Sequence, residues 1–78
     1  MFKIYTKPDC RYCVHAKQVL KSKGLDFEEI SATTHKVQLI EQVVQTGSPP
    51  PKTVPQIFHN DDYIGGYEQL VIYLSNIK

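Results

Sequence analysis

Apolar and polar positions along the chain alternate between two periods, one typical of strands and the other of helices. Phe2, Ile4 and Thr6 recur at every second position, so they would share one face of a first strand. The segment from Ala16 to Lys23 then repeats at helical spacing through Val19 and Leu20, and Gly24 is a typical helix terminator. The first third of the chain therefore predicts a strand followed by a helix.

The middle of the chain repeats this pattern. Leu25 to Ile30 predicts a second strand, and Thr34 is a candidate N-cap for a second helix. Gly47 and the three prolines that follow Ser48 would end that helix. Its predicted apolar stripe consists of Val37, Ile40, Val43 and Val44.

The C-terminal part predicts a hairpin and a third helix. Gln56–His59 and Tyr63–Ile64 read as two strands around the turn residues 60–62. Apolar residues then recur at the spacing of one face of a helix. They are Tyr67, Leu70, Val71, Leu74 and Ile77.

The predicted order is β-α-β-α-β-β-α. The first β-α-β unit implies a right-handed crossover between parallel strands, and the hairpin adds an antiparallel pair. The prediction is an α/β fold in which three helices cover a four-stranded mixed sheet. With 78 residues the chain has room for one small domain.

Composition narrows the classes of function. The net charge of +1 gives no electrostatic case for binding nucleic acid or an anionic membrane. The N-terminus lacks the apolar core of a signal peptide, and no stretch approaches the roughly 20 apolar residues of a membrane span. The sequence therefore predicts a soluble cytoplasmic protein with no nucleic-acid or membrane partner.

Two cysteines, Cys10 and Cys13, carry the candidate chemistry. A lasting structural disulfide is unusual in a reducing cytosol, and so short a loop would stabilise the fold by only about 2 kcal/mol. Structural zinc requires four ligands, and the histidines at 15, 35 and 59 are scattered over different elements. No metal site is predicted, and the thiols are interpreted as redox reagents.

Position assigns different roles to the two thiols. Cys10 would lie at the N-terminus of the first helix, where unpaired N–H groups and the helix dipole favour a thiolate. Lys7 and Arg11 add positive charge, while Asp9 is expected to cap the helix. Cys10 is therefore the predicted nucleophile. Cys13, one turn further into the helix, is the predicted resolving thiol.

Three motifs in this order resemble those of the glutaredoxins, a family of the thioredoxin superfamily. They are Cys10-Arg11-Tyr12-Cys13, Thr53-Val54-Pro55 and Gly65-Gly66-Tyr67. The resemblance extends over essentially the whole chain. The chain is short, and its run from Ile64 to Leu70 is also similar to that of phage-encoded dithiol members.

The resemblance implies a thioredoxin-like fold, a single glutaredoxin domain over residues 1–78 and a cis Val54–Pro55 bond. It implies a monomeric enzyme that uses glutathione as a co-substrate and has no permanently bound cofactor. The enzyme would reduce protein disulfides and glutathione mixed disulfides, and ribonucleotide reductase is a candidate protein substrate. Cys10 and Cys13 would be the catalytic pair. The implied glutathione-binding residues are Lys7, Arg11, Tyr12, Thr53, Val54, Pro55, Gly66, Tyr67, Glu68 and Gln69.

Two positions depart from the family pattern. Arg11 replaces the usual motif proline, which affects the expected redox potential, and Gln69 replaces a common aspartate, which affects the expected affinity for glutathione. Two other functions remain open. One is a thioredoxin-like electron donor reduced by a flavin reductase, although the chain has no tryptophan. The other is an iron–sulfur scaffold that uses Cys10 and glutathione as ligands.

Overall fold

The computed structural model describes residues 1–76. It contains the predicted elements in the predicted order. Their bounds are β1 Phe2–Thr6, α1 Arg11–Ser22, β2 Phe27–Ser31, α2 Lys36–Gln45, β3 Gln56–His59, β4 Asp62–Gly65 and α3 Tyr67–Ser75. The α/β fold class is confirmed. The second strand begins two residues later than the pattern predicts, at Phe27 rather than Leu25.

The four strands form one mixed sheet in the order β2-β1-β3-β4. The pairing of β1 with β2 is parallel, which is the arrangement that the first β-α-β unit predicts. The pairings of β1 with β3 and of β3 with β4 are antiparallel. β1 lies between β2 and β3, so the loop that follows it leaves from an interior strand of the sheet.

Apolar side chains pack on both faces of the sheet. One core cluster joins β1, β3, α1 and α3 and consists of Phe2, Ile4, Ala16, Leu20, Ile57, Leu70 and Leu74. The other joins the sheet to α2 and consists of Tyr5, Ala32, Leu39, Val43 and Phe58. The alternation in β1 predicts the first face only. Tyr5 is also fully buried, so this strand has a core on each side.

The predicted buried stripe of α2 is wrong in part. Val43 is buried as predicted, but Val37 and Val44 are 70% and 46% exposed, and Leu39, which the prediction omitted, is buried against the sheet. Apolar residues occur on more than one side of this helix, so helical spacing alone allowed two stripes. The position of Tyr5 and Phe58 under the helix selects the one that contains Leu39.

The stripe of α3 is confirmed at Leu70 and Leu74, which are buried, but Val71 is 42% exposed. Ile77 lies outside the described residues. The helix therefore packs on the sheet through a narrower face than the spacing predicts. Within residues 1–76, no helix has the length and apolar character needed to span a membrane.

Both predicted N-caps are wrong by one residue. His35, not Thr34, caps α2, because the hydroxyl of Ser31 accepts the Thr34 N–H and holds that residue in the preceding turn. Cys10, not Asp9, caps α1, and Asp9 has a φ of 60° in the turn before it. The second correction places a cysteine sulfur directly at the helix N-terminus.

Candidate active site

The end of β1 and the start of α1 place the two cysteines at the carboxyl edge of the central strand. Residues 7–9 form the connecting turn, and Cys10 is the N-cap with an extended backbone at φ −100° and ψ 108°. The backbone N–H of Cys13 donates a hydrogen bond to Cys10 Sγ over 3.1 Å. The Cys13 N–H has no acceptor within the helix, so it is free to bond the sulfur. A hydrogen bond of this kind at a helix N-terminus stabilises a thiolate.

Cys10 and Cys13 form a disulfide, with their Cα atoms 5.2 Å apart. That separation lies within the usual range of about 4.4 to 6.8 Å. Cys13 is 2% exposed, whereas Cys10 is only partly buried. A substrate can therefore approach Cys10 more readily than Cys13, which supports the predicted division between attacking and resolving thiols.

The loop before β3 faces the same sulfur. The Val54–Pro55 peptide bond is cis. The carbonyl oxygen of Val54 lies 3.7 Å from Cys10 Sγ, although 44 positions separate the two residues in the chain. A reduced Cys10 thiol could donate its proton to this oxygen.

The start of α3 completes this side of the site. Gly65 has a φ of +118°, a backbone conformation that favours glycine, and a Cβ there would lie 3.0 Å from Gln69 Cγ. The next residue, Gly66, donates its backbone N–H to Gln69 Oε1 over 3.0 Å. Gln69 therefore caps its own helix, because its side chain accepts a hydrogen bond from an N–H group that has no acceptor within the helix.

These elements enclose a shallow groove of about 320 Å³, which we call the tyrosine groove. It brings together eight of the ten residues predicted to bind glutathione. They are Tyr12, Thr53, Val54, Pro55, Gly66, Tyr67, Glu68 and Gln69. The other two, Lys7 and Arg11, do not line this groove, although Lys7 lines a neighbouring depression together with Thr53 and Val54.

Lys7 and Arg11 line a second, larger groove of about 860 Å³, which we call the charged groove. Its other lining residues are Thr6, Pro8, Asp9, Cys10, Cys13, Val14, Lys17, Glu29 and Ser31. Sequence reasoning missed Lys17, although it lies four positions after Cys13 and hence on the same face of the helix. Glu29 had no such signal, because it reaches the site from a neighbouring strand.

Lys17 and Glu29 form an ion pair of 2.9 Å beside Cys13. A hydrogen bond from Thr6, followed by one from Lys17, holds the pKa of Glu29 below its ordinary value. Because this pKa is lowered, ionised Glu29 stabilises the folded state at neutral pH. That stabilisation is lost as the pH falls through the pKa of Glu29 in the folded state. The contribution is at most about 1 kcal/mol, because Glu29 is 45% exposed.

Comparison with known proteins identifies the family. The glutaredoxin family model matches residues 2–64, which is more than half of the chain. The chain belongs to the glutaredoxin family. It is therefore a thiol–disulfide oxidoreductase, and its two cysteines, Cys10 and Cys13, form a disulfide.

Individual relatives agree with the family match. This glutaredoxin is 40% identical to glutaredoxin 3 of Escherichia coli over 67 residues, covering 86% of the chain and 77% of the relative. It is 40% identical to a hybrid peroxiredoxin of Haemophilus influenzae, of which it spans 28%. The crystal structure of glutaredoxin 1 from Francisella tularensis, complexed with cacodylate, superposes with a TM-score of 0.76 at 36% identity, covering 95% of this chain and 91% of that one.

The three histidines of this glutaredoxin belong to different elements. His15 is on α1, His35 caps α2, and His59 ends β3, where its ring stacks on Phe2 at 4.2 Å. Among residues 1–76, no three His, Cys, Asp or Glu side chains are grouped to hold a metal ion.

The helix-terminal position of Cys10 predicts an acidic thiol. After reduction, we expect the alkylation rate of Cys10 to reach half its maximum below pH ~8.5, the value typical of a free cysteine, because the Cys13 N–H stabilises the thiolate. Iodoacetamide alkylation of the Cys13→Ser variant, followed across pH by mass spectrometry, isolates this thiol. A midpoint above pH 8.5 would contradict the assignment of Cys10 as a stabilised thiolate.

Proposed function

We propose that this glutaredoxin is a glutathione-dependent dithiol–disulfide oxidoreductase, which reduces protein disulfides and glutathione mixed disulfides. The supporting observation is the tyrosine groove. Residues from α1, the Thr53–Pro55 loop and the start of α3 line one groove at the Val54 carbonyl, 3.7 Å from Cys10 Sγ. A tripeptide lying in that groove would have its central thiol within reach of Cys10.

The reaction begins with the reduced enzyme. The Cys10 thiolate attacks one sulfur of a substrate disulfide, forms a mixed disulfide and releases the other sulfur as a thiolate. For a protein disulfide, the Cys13 thiolate then attacks Cys10 Sγ. This step releases the second substrate thiolate and leaves the Cys10–Cys13 disulfide, so two electrons pass from the enzyme to the substrate.

Glutathione returns the enzyme to the reduced state in two exchanges. One glutathione thiolate attacks Cys10 Sγ, which displaces Cys13 and forms a Cys10–glutathione mixed disulfide. A second glutathione thiolate attacks the glutathione sulfur of that intermediate and releases the Cys10 thiolate with oxidised glutathione. When the substrate already carries glutathione, Cys10 attacks the glutathione sulfur and releases the substrate thiolate. This step forms the Cys10–glutathione mixed disulfide directly, so the reaction needs Cys10 but not Cys13.

The N-terminus of α1 assists the steps in which Cys10 departs. A low thiol pKa raises the thiolate fraction but lowers intrinsic nucleophilicity, so the two effects on attack largely cancel. The stabilised thiolate remains a better leaving group. The hydrogen bond from the Cys13 N–H to Cys10 Sγ therefore favours release of reduced enzyme from its mixed disulfides.

The groove residues have separate proposed roles toward glutathione. The backbone of Val54 would pair with the extended main chain of the peptide, and Tyr12 and Tyr67 would contact its apolar surface. The exposed side chains of Glu68 and Gln69 would face the γ-glutamyl ammonium. Lys7 and Arg11 would interact with anionic groups from the charged groove.

The source of electrons tests this function. We expect turnover of a glutathione mixed disulfide with glutathione and glutathione reductase, and little turnover with thioredoxin reductase. The reverse preference would favour a thioredoxin-like donor. A visible absorbance of the purified protein that disappears with Cys10→Ser would favour an iron–sulfur scaffold.

The remaining parts of this proposal rest on the family resemblance. Residues 1–78 would form one glutaredoxin domain that acts as a monomer in the cytoplasm. Its substrates would be disulfides of other proteins, with ribonucleotide reductase as a candidate. The test is whether glutathione and glutathione reductase reduce oxidised ribonucleotide reductase faster when this protein is present.

Gln69 provides a test of where glutathione binds. We expect Gln69→Asp to lower the KM for a glutathionylated peptide by about three- to tenfold, equal to about 0.7 to 1.4 kcal/mol. A carboxylate would form a charge-assisted hydrogen bond with the γ-glutamyl ammonium, which is stronger than one to a neutral amide. Steady-state kinetics at saturating glutathione reductase measures the change.

Glu68→Gln should raise the same KM, because it removes the neighbouring negative charge. Glu41→Gln is the matched control, since Glu41 is an exposed carboxylate on α2 outside the tyrosine groove. Equal KM values in all three variants and the wild type would show that the ammonium does not bind at the start of α3.

A further inference from the structure

Three aromatic rings meet where α1 passes the start of α3. The ring centroids of Tyr12 and His15 are 6.0 Å apart and the planes are nearly perpendicular, at 86°. Tyr67 lies 5.8 Å from His15 and 5.9 Å from Tyr12. Each ring contacts the other two at a distance typical of aromatic pairs. We call Tyr12, His15 and Tyr67 the ring cluster.

The ring cluster has one side in the tyrosine groove. Tyr12 and Tyr67 line that groove, whereas His15 lines a neighbouring depression together with Gln18 and Val19. Tyr67 is shared by both. His15 therefore supports the two groove tyrosines from outside the groove.

Tyr12 has little other support. Its side chain is 58% exposed, so packing in the core does not select its rotamer. Tyr67, in contrast, packs partly against the core cluster under α3. His15 follows Tyr12 by three positions, and helical side chains lean toward the N-terminus, so the imidazole reaches back to the turn that carries Tyr12. It gives Tyr12 a second ring contact, in addition to its direct contact with the anchored Tyr67.

We propose that His15 is a positioning residue, which holds the Tyr12 and Tyr67 rings in the geometry that receives the glutathione part of a substrate. This inference rests on the proposed function. A side chain that is already ordered loses less rotamer freedom when the ligand binds. Loss of His15 should therefore weaken substrate binding and raise KM. His15 does not line the charged groove, which contains both cysteines, so it should leave the exchange chemistry unchanged.

The test compares the wild type with His15→Ala and His15→Phe, using a glutathionylated peptide as substrate. We expect His15→Ala to raise KM by about three- to tenfold, corresponding to the loss of one or two aromatic contacts, with kcat within about twofold of wild type. His15→Phe supplies another planar ring and should restore KM to within about twofold. A fall in both kcat and KM in the alanine variant would overturn the inference.

Near-ultraviolet circular dichroism gives an independent measurement of ring packing. The chain has five tyrosines and no tryptophan, so the signal of the reduced enzyme, which lacks the Cys10–Cys13 disulfide, comes mainly from tyrosine. We expect it to weaken in His15→Ala and to recover in His15→Phe. His35→Ala is the control, because His35 is an exposed histidine at the N-cap of α2 and outside the tyrosine groove. It should change neither KM nor the tyrosine signal.

The outcomes separate the two proposals. Wild-type turnover that requires glutathione supports the proposed function whatever His15 does. An unchanged KM in His15→Ala, or a KM in His15→Phe as high as in His15→Ala, would overturn the positioning role alone. A wild type that does not use glutathione would overturn the proposed function, and the role of His15 with it.

Discussion

Replacement of Cys10 by serine is expected to abolish both activities, the reduction of protein disulfides and of glutathione mixed disulfides. Cys10 is the partly exposed thiol at the helix N-terminus, and its sulfur lies next to the Val54 carbonyl at the end of the tyrosine groove. A serine hydroxyl cannot form the mixed disulfide with which either reaction begins. Turnover in the glutathione reductase assay should fall to the rate of the uncatalysed exchange.

Cys13→Ser provides the matched control. Cys13 is 2% exposed and, in the proposed mechanism, acts only by attacking Cys10, so its loss should leave reduction of glutathionylated peptides in place. Reduction of a protein disulfide should be lost, because the mixed disulfide with Cys10 can no longer be resolved within the enzyme. Equal loss of both activities in the two variants would contradict the division of roles.

Leu70→Ala is expected to destabilise the fold by about 2 to 5 kcal/mol, the usual cost of truncating a buried leucine. Leu70 is fully buried on α3 and belongs to the core cluster with Ile4 and Leu20. A domain of this size has only a few kcal/mol of stability to lose. Urea unfolding of the disulfide form, followed by circular dichroism, should show a clearly lower midpoint.

Val71→Ala is the control for that experiment. It truncates the next residue on the same helix, but Val71 is 42% exposed, so the free energy of unfolding should change by about 0.5 kcal/mol or less. Similar losses in both variants would mean that α3 packs through the wider stripe predicted from spacing. The comparison thus tests the orientation of the helix that carries Glu68 and Gln69.

The order of elements could be predicted from the sequence because its signals are local. Alternation in β1, helical spacing in α1 and α3, and glycine or proline after the first two helices each depend on neighbouring residues. The position of the cysteines at the start of α1 follows from the same signals. Most of the tyrosine groove was also predicted, since its three segments each carry a recognisable family motif.

Local signals could not determine which of several apolar stripes is buried. Val37 and Val44 were predicted to be buried together with Val43, yet Leu39 is buried in their place, because Tyr5 and Phe58 lie beneath that side of the helix. Which groove a side chain beside the cysteines lines was equally undetermined. Arg11 follows Cys10 directly, yet it lines the charged groove rather than the tyrosine groove.

Residue order along the chain is enough to predict the chemistry of this protein, because two thiols one helical turn apart at a helix N-terminus are a local feature. The surroundings of those thiols, in contrast, depend on the tertiary fold. Val54 reaches Cys10 from 44 positions away, and Glu29 reaches Lys17 from another strand. His15 meets Tyr67 because α1 and α3 pack side by side. Such contacts depend on how distant segments share one core, and neither periodicity nor spacing contains that information.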